Sequence, residues 1–139
     1  MYFSVSSTHP TPQIAKTHLL VWKVLTREYR APYRGSQYYL GKLNTELKLA
    51  IKESAGGVFR NIFEGYHAHL SRSGARFRRR NFYGGHVVCP AIIPKGSTYY
   101  INPERGVIVA SNLVVFRDIP HLRRCAWITN ASTYRYPRS

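Results

Sequence analysis

Acidic side chains are what this 139-residue sequence has least of. Six Asp and Glu stand against 21 Lys and Arg, a formal charge of +15 with histidine neutral. Glu28, Glu46, Glu53, Glu64, Glu104 and Asp118 are the whole acidic set, and no two fall on an evident shared face, so paired acid–base catalysis has little material. Cysteine is equally sparse. Cys89 and Cys125 are too few for a disulfide scaffold, and no Cys-x-x-Cys pair opens a zinc site. No apolar run approaches the ~20 residues of a membrane-crossing helix. The first twenty residues lack the basic-then-apolar order of a secretory signal, so a cytoplasmic protein is expected. Gly84-Gly85 and Lys95-Gly96-Ser97 lack the spacing of a Walker or dinucleotide loop, and no cofactor is expected.

What is present points to a folded domain. Eleven Tyr, six Phe and two Trp make the chain too aromatic for a disordered basic tail. The length fits one domain. Arginine outnumbers lysine fifteen to six, and its planar fork matches phosphate oxygens better than an ammonium does. A surface this basic attracts polyanions, and each phosphate contact releases counterions.

Met1–Gln13, rich in Ser, Thr and Pro and devoid of Lys and Arg, reads as a flexible arm. Residues 14–128 read as the domain and 129–139 as an extended tail. Thr17–Leu25 alternates Leu19, Val21, Lys23, Leu25 with His18, Leu20, Trp22, Val24, a strand covered on both faces. Gln37–Leu40 reads as a short strand. Leu43, Leu47 and Ile51 recur every four residues, with Ala50 at helical spacing, and suggest a short helix over 43–52, with a strand as the alternative. Val58–Leu70 reads as strand, turn at Gly65, and strand. His86–Pro94 is the best core-strand candidate, with Pro90 marking an edge or bulge. Pro94–Ser97 suits a type II turn. Thr98–Ile101 reads as a strand, and 107–116 as one bent strand or two. The expected class is α+β: a small antiparallel or mixed β-sheet with one or two short helices.

Ser71–Arg80 (SRSGARFRRR) reads as a helix capped by Ser71. Arg72, Arg76 and Arg79 fall within about 60° of one another, with Arg80 beside them. Phe77 and Gly74 lie opposite, where docking is expected with help from Leu70.

The stretch GYHAHLSRSGAR from Gly65 and the later CPAIIPKGSTYYINPERGVIVASNLVV follow an opening strand LLVWKVL. This order resembles small uncharacterised phage-encoded accessory proteins, over roughly Leu19 to Phe116. The resemblance implies an accessory protein of the host cytoplasm or the virion. It carries no functional residues over, and the arginines lie outside the shared pattern.

The expected function is binding of nucleic-acid phosphates, DNA or RNA, by Arg72, Arg76, Arg78, Arg79 and Arg80. Tyr83 and other flanking rings are placed to stack on bases, and Arg123, Arg124, Arg135 and Arg138 to extend the surface. Two alternatives stand beside it. One is an interaction module, an inhibitor or virion component, whose basic face meets an acidic protein. The other is a small enzyme using Glu64, His67, His69 and His86. For a metal-dependent nuclease one carboxylate is thin, and His86/Cys89 and His121/Cys125 read as ordinary side chains before ligands.

Overall fold

A computed structural model of the chain describes residues 3–32, 35–44, 49–53, 60–79, 85–125 and 134–135. In chain order these form β1 (Phe3–Ser4), β2 (Gln13–Ile14), β3 (His18–Thr26), β4 (Leu43–Asn44), β5 (Ala50–Glu53), β6 (Arg60–Glu64), β7 (Tyr66–His69), α1 (Arg72–Arg79), β8 (His86–Ile93), β9 (Thr98–Asn102), β10 (Val107–Ala110), β11 (Leu113–Val115), α2 (Ile119–Arg123) and β12 (Tyr134–Arg135). The larger sheet runs β2-β9-β10-β7-β3-β8-β11-β4, with β12 parallel to β3; the smaller runs β1-β6-β5. The architecture is α+β and dominated by antiparallel sheet. No helix among the described residues is long and apolar enough to cross a membrane.

The larger sheet is strongly coiled, and the chain's connectivity requires it. β10 and β11 are joined only by Ser111 and Asn112, yet β7, β3 and β8 lie between them. Four strand spacings in a flat sheet measure about 19 Å. Three Cα steps from Ala110 to Leu113 reach at most about 11 Å. Curling the sheet closes that gap. Side chains from six strands meet in one cluster on the concave face: Leu19, Val21 and Leu25 of β3; Tyr66 and Ala68 of β7; Cys89, Ala91 and Ile93 of β8; Tyr99 and Ile101 of β9; Ile108 and Ala110 of β10; Leu113 and Val115 of β11. The link is held by Thr98 N–H donating to Ser111 Oγ (3.0 Å) and Asn112 Nδ2 donating to Ser97 Oγ (3.1 Å).

The alternate residues point outward and are covered in two halves. Leu20, Trp22 and Val24 of β3, Ile92 of β8, Val114 of β11 and the adjoining Phe116 pack with Ala75 of α1 and Leu122 of α2. Tyr100 of β9 and Val109 of β10 pack with Phe3 and Ile62 of the smaller sheet. Both faces of the central strands are therefore apolar, as the double-sided alternation in His18–Thr26 requires.

Several expectations change. Of the two readings of 43–52, the described parts take the strand and not the helix: Leu43–Asn44 pairs with β11 and Ala50–Glu53 with β6. A spacing of four is also an even number of strand steps, so it keeps one face of a strand as well as of a helix. Residues 3–13 are no loose arm. Phe3 is buried and pairs with Ile62, Gln13 pairs with Tyr99, and Ser6 and Thr8 donate to the Glu104 carboxylate (2.7–3.0 Å). Gln37–Leu40 supplies isolated bridges rather than a strand. Of the tail 129–139, only Tyr134–Arg135 is described. Residues 107–116 form two strands in separate places.

Pro90 marks neither an edge nor a bulge: it sits within β8, between β3 and β11 and in continuous register with β3, and its carbonyl accepts from Phe116 N–H (2.9 Å). N–H and C=O of one residue share a flank in an antiparallel strand, so the missing donor falls just past the end of β11, whose pairs stop at Val115↔Ala91. The ladder to β3 stays whole through Trp22↔Pro90. Gly96 takes φ +91 in the turn closed by Ser97 N–H on the Pro94 carbonyl (3.1 Å).

Gly65 joins β6, in the smaller sheet, to β7, in the larger, at φ +146. A Cβ there would stand 2.7 Å from both Leu49 Cδ2 and Val109 Cγ2. Gly65→Ala is therefore expected to cost about 1–3 kcal/mol of stability. Urea denaturation measures this, and an unchanged midpoint would contradict the tight crossing.

Candidate functional site

α1 begins where Ser71 Oγ accepts from Gly74 N–H (3.1 Å), the expected cap. It docks on β3 and β8 through Ala75, which is 0% exposed. Phe77 faces solvent at 69% exposure, not the sheet. A small side chain permits close approach of helix to sheet, and Ala75 supplies it. At 100° per residue, Arg79, Arg72 and Arg76 lie about 40°, 60° and 100° to one side of Ala75. The three arginines form one flank as expected, and all three are exposed. The Arg72 guanidinium sits 5.3 Å from the centroid of the Trp22 ring, a cation–π contact that holds it at the helix base. Arg78 lies on the other flank, half-buried, and its charge helps lower the pKa of His69. Arg80 and Tyr83 lie outside the described residues, as does Arg138. Arg135 is described only by its backbone pairing with Leu19.

α2 is the second basic element. Asp118 caps it, its Oδ1 accepting from His121 N–H (2.8 Å), and Pro120 stands in its first turn. Leu122 docks and Arg123 and Arg124 are exposed. Because Ala75 and Leu122 enter the same cluster on the same sheet face, the arginines of both helices stand on one side of the molecule. Exposed Arg117 joins them, its Nε 3.4 Å from Asp118 Oδ2. From Tyr66 to the C-terminus the sequence holds only Glu104 and Asp118 as acids. Glu104 is engaged by Ser6 and Thr8, and Asp118 by the α2 cap.

Glu64, His67, His69 and His86 are not brought together. His69 pairs with Trp22 and His86 with Thr26, four residues apart along β3 and on opposite flanks of it, so their backbones stand about 16 Å apart. His67 turns toward the smaller sheet, 6.4 Å from the Phe3 ring, with Nδ1 3.1 Å from the Gly65 carbonyl oxygen. Burial and the neighbouring Lys23 charge lower both His67 and His69 to about 4. Among the described residues no three His, Cys, Asp or Glu side chains converge as a metal would need. Cys89 is buried in the concave core, its thiol pushed up to about 11 chiefly by burial, the opposite of an activated nucleophile.

Lys23 is a buried polar residue that belongs to no motif. Its alternation with Leu19, Val21 and Leu25 places it on the concave face, opposite Cys89. Among the described pairings β3 meets β7 only at Trp22↔His69. Just beyond, Lys23 Nζ donates to the His67 carbonyl, so a side chain bridges the two strands where backbone pairing ends. The ammonium also lies 5.2 Å from the centroid of the Tyr38 ring. Burial lowers Lys23 to about 8 and raises the Tyr38 phenol.

No family model, curated protein or solved structure matches the chain.

The buried amine fixes a pH dependence. Between about pH 8 and its ordinary 10.5, Lys23 has shed its proton in the folded state and keeps it in the unfolded one. The Lys23 contribution to stability therefore rises with pH from about 8, until ionisation of the unfolded Cys89 thiol from about 9 and of tyrosine near 10 opposes it. Lys23→Met is expected to flatten that rise in urea titrations from pH 7 to 9.5; an equal rise in both proteins would contradict the assignment. The histidines act lower. Between pH 6.5 and about 4 the unfolded chain takes up protons that folded His67 and His69 refuse, so stability falls as pH drops through that window. A double variant, His67→Gln with His69→Gln, is expected to show a shallower loss, read from the same denaturation curves.

Proposed function

We propose that the protein binds polyanions, nucleic-acid phosphates foremost, on the face built by α1 and α2. One observation carries the reading: both helices dock through a single cluster on one sheet face, which gathers Arg72, Arg76, Arg79, Arg117, Arg123 and Arg124 on one side. Of the two acids between Tyr66 and the C-terminus, one caps α2 and the other is held by Ser6 and Thr8, so α1 and α2 bring almost no acid of their own to that face. Arg72, stacked on Trp22, is held in place before any ligand arrives, which lowers the ordering cost of one contact. The others reach outward from a packed scaffold. Phosphate contacts of this kind position a ligand and do not read its sequence. In the setting suggested by the resemblance to phage-encoded accessory proteins, such a surface serves host or virion nucleic acid.

Fluorescence anisotropy with a labelled oligonucleotide across a salt series tests the reading. Affinity is expected to fall steeply with salt. Arg76→Ala with Arg79→Ala is expected to weaken binding and to lower the log–log salt slope by about 1.4–1.8, the share of two phosphate contacts. A salt-independent affinity, or a double variant that binds like the parent, would contradict it. So would capture of an acidic protein that survives nuclease treatment while the oligonucleotide fails to bind.

A further inference from the structure

We propose that Phe77 is a base-stacking platform, which makes the ligand of the basic face a single-stranded nucleic acid. The inference rests on the polyanion reading above and narrows it. α1 has one large apolar side chain, and the helix turns it away from the protein: Ala75 docks at 0% exposure while Phe77 stands at 69%. Burial of a phenylalanine side chain is strongly favourable, so a helix arranged only to pack would place these two residues the other way round. Exposed Phe77 is the one large hydrophobic side chain on either helix that the sheet does not cover, among the described residues.

The surroundings suit a flat ligand. A helical side chain leans over the turn N-terminal to it, which for Phe77 is Ser73 and Gly74, two small residues. A Cβ built on Gly74 would meet only Ser71 Oγ, at 3.1 Å, so the surface beside the ring is open. On the helix, exposed Arg76 and half-buried Arg78 flank Phe77 about 100° to either side, while Arg79 lies about 160° away. An aromatic face bordered by guanidinium groups offers a base its π-surface and the adjoining phosphates their counter-charge. A duplex presents phosphates to the same arginines but keeps its bases stacked on each other, leaving the ring without a partner.

The test compares full-length parent, Phe77→Ala and Phe77→Trp on oligo(dT) and on a duplex of equal length, by anisotropy at several salt concentrations. The parent is expected to prefer the single strand. Phe77→Ala should lose about tenfold in single-strand affinity with its salt slope and duplex affinity unchanged, and Phe77→Trp should restore it. Since the side chain is exposed, the substitutions leave the core intact. Equal single-strand affinity of Phe77→Ala and parent, with the Arg76/Arg79 variant weakened on both ligands, overturns this inference and leaves the arginine reading standing. A parent that binds neither ligand removes both. Phe77-dependent binding to phosphatidylserine-containing vesicles, without a preference for the single strand, overturns it in favour of a lipid surface.

Discussion

Ala110 ends one strand and Leu113 begins another, and three strands lie between them in the sheet order. The two-residue link across that gap sets the shape of the molecule. It forces the larger sheet to curl, which turns one face into a closed apolar core and splays the other outward. Because β3, β8 and β11 are apolar on both faces, that outer surface must also be covered. One half is covered by the small sheet that contains Phe3 and Ile62. The other is covered by two short helices. The basic surface is a consequence of this second arrangement.

Neither helix is long enough to be stable alone. Each is capped by its own polar side chain, Ser71 or Asp118, and fastened by one buried residue, Ala75 or Leu122. Sharing one cluster fixes the side of the molecule from which both project. Their arginines therefore add to a common field, where the same number spread over the surface would be diluted by screening within about 10 Å. The buried polar groups serve a different purpose. Lys23 bridges β3 to the His67 carbonyl where the two strands part. Its charge helps keep His67 and His69 neutral well below pH 6.

Much of this was legible in the residues, for identifiable reasons. The strand around Trp22, the Pro94–Ser97 turn, the break at Gly65 and the capped helix at Ser71 each carry a local signal: two-residue alternation, a proline–glycine pair, a hydroxyl three residues before an amide. The strands at Leu43 and Ala50 carry none, because a four-residue spacing serves helix and strand alike and only pairing with β11 and β6 decides. Phe3 looked like part of a polar arm because one aromatic residue gives no period. The wheel of α1 separates the arginines from Phe77 correctly but points to docking on the Phe77 side; the helix docks instead through Ala75, because that choice depends on how closely the helix approaches the sheet. Lys23 was visible as a lysine on an apolar strand face, and its burial follows from that face being the concave one.

The central claim is that α1 and α2 present one continuous binding surface. Backbone amide NMR of the isotope-labelled protein, titrated with a short single-stranded oligonucleotide, tests it most directly. Shifts are expected to concentrate in residues 72–79 and 117–124 and to saturate together, with little change along β9 and β10, whose outer face lies under the small sheet. Shifts spread evenly over the molecule, or confined to residues away from both helices, would contradict it.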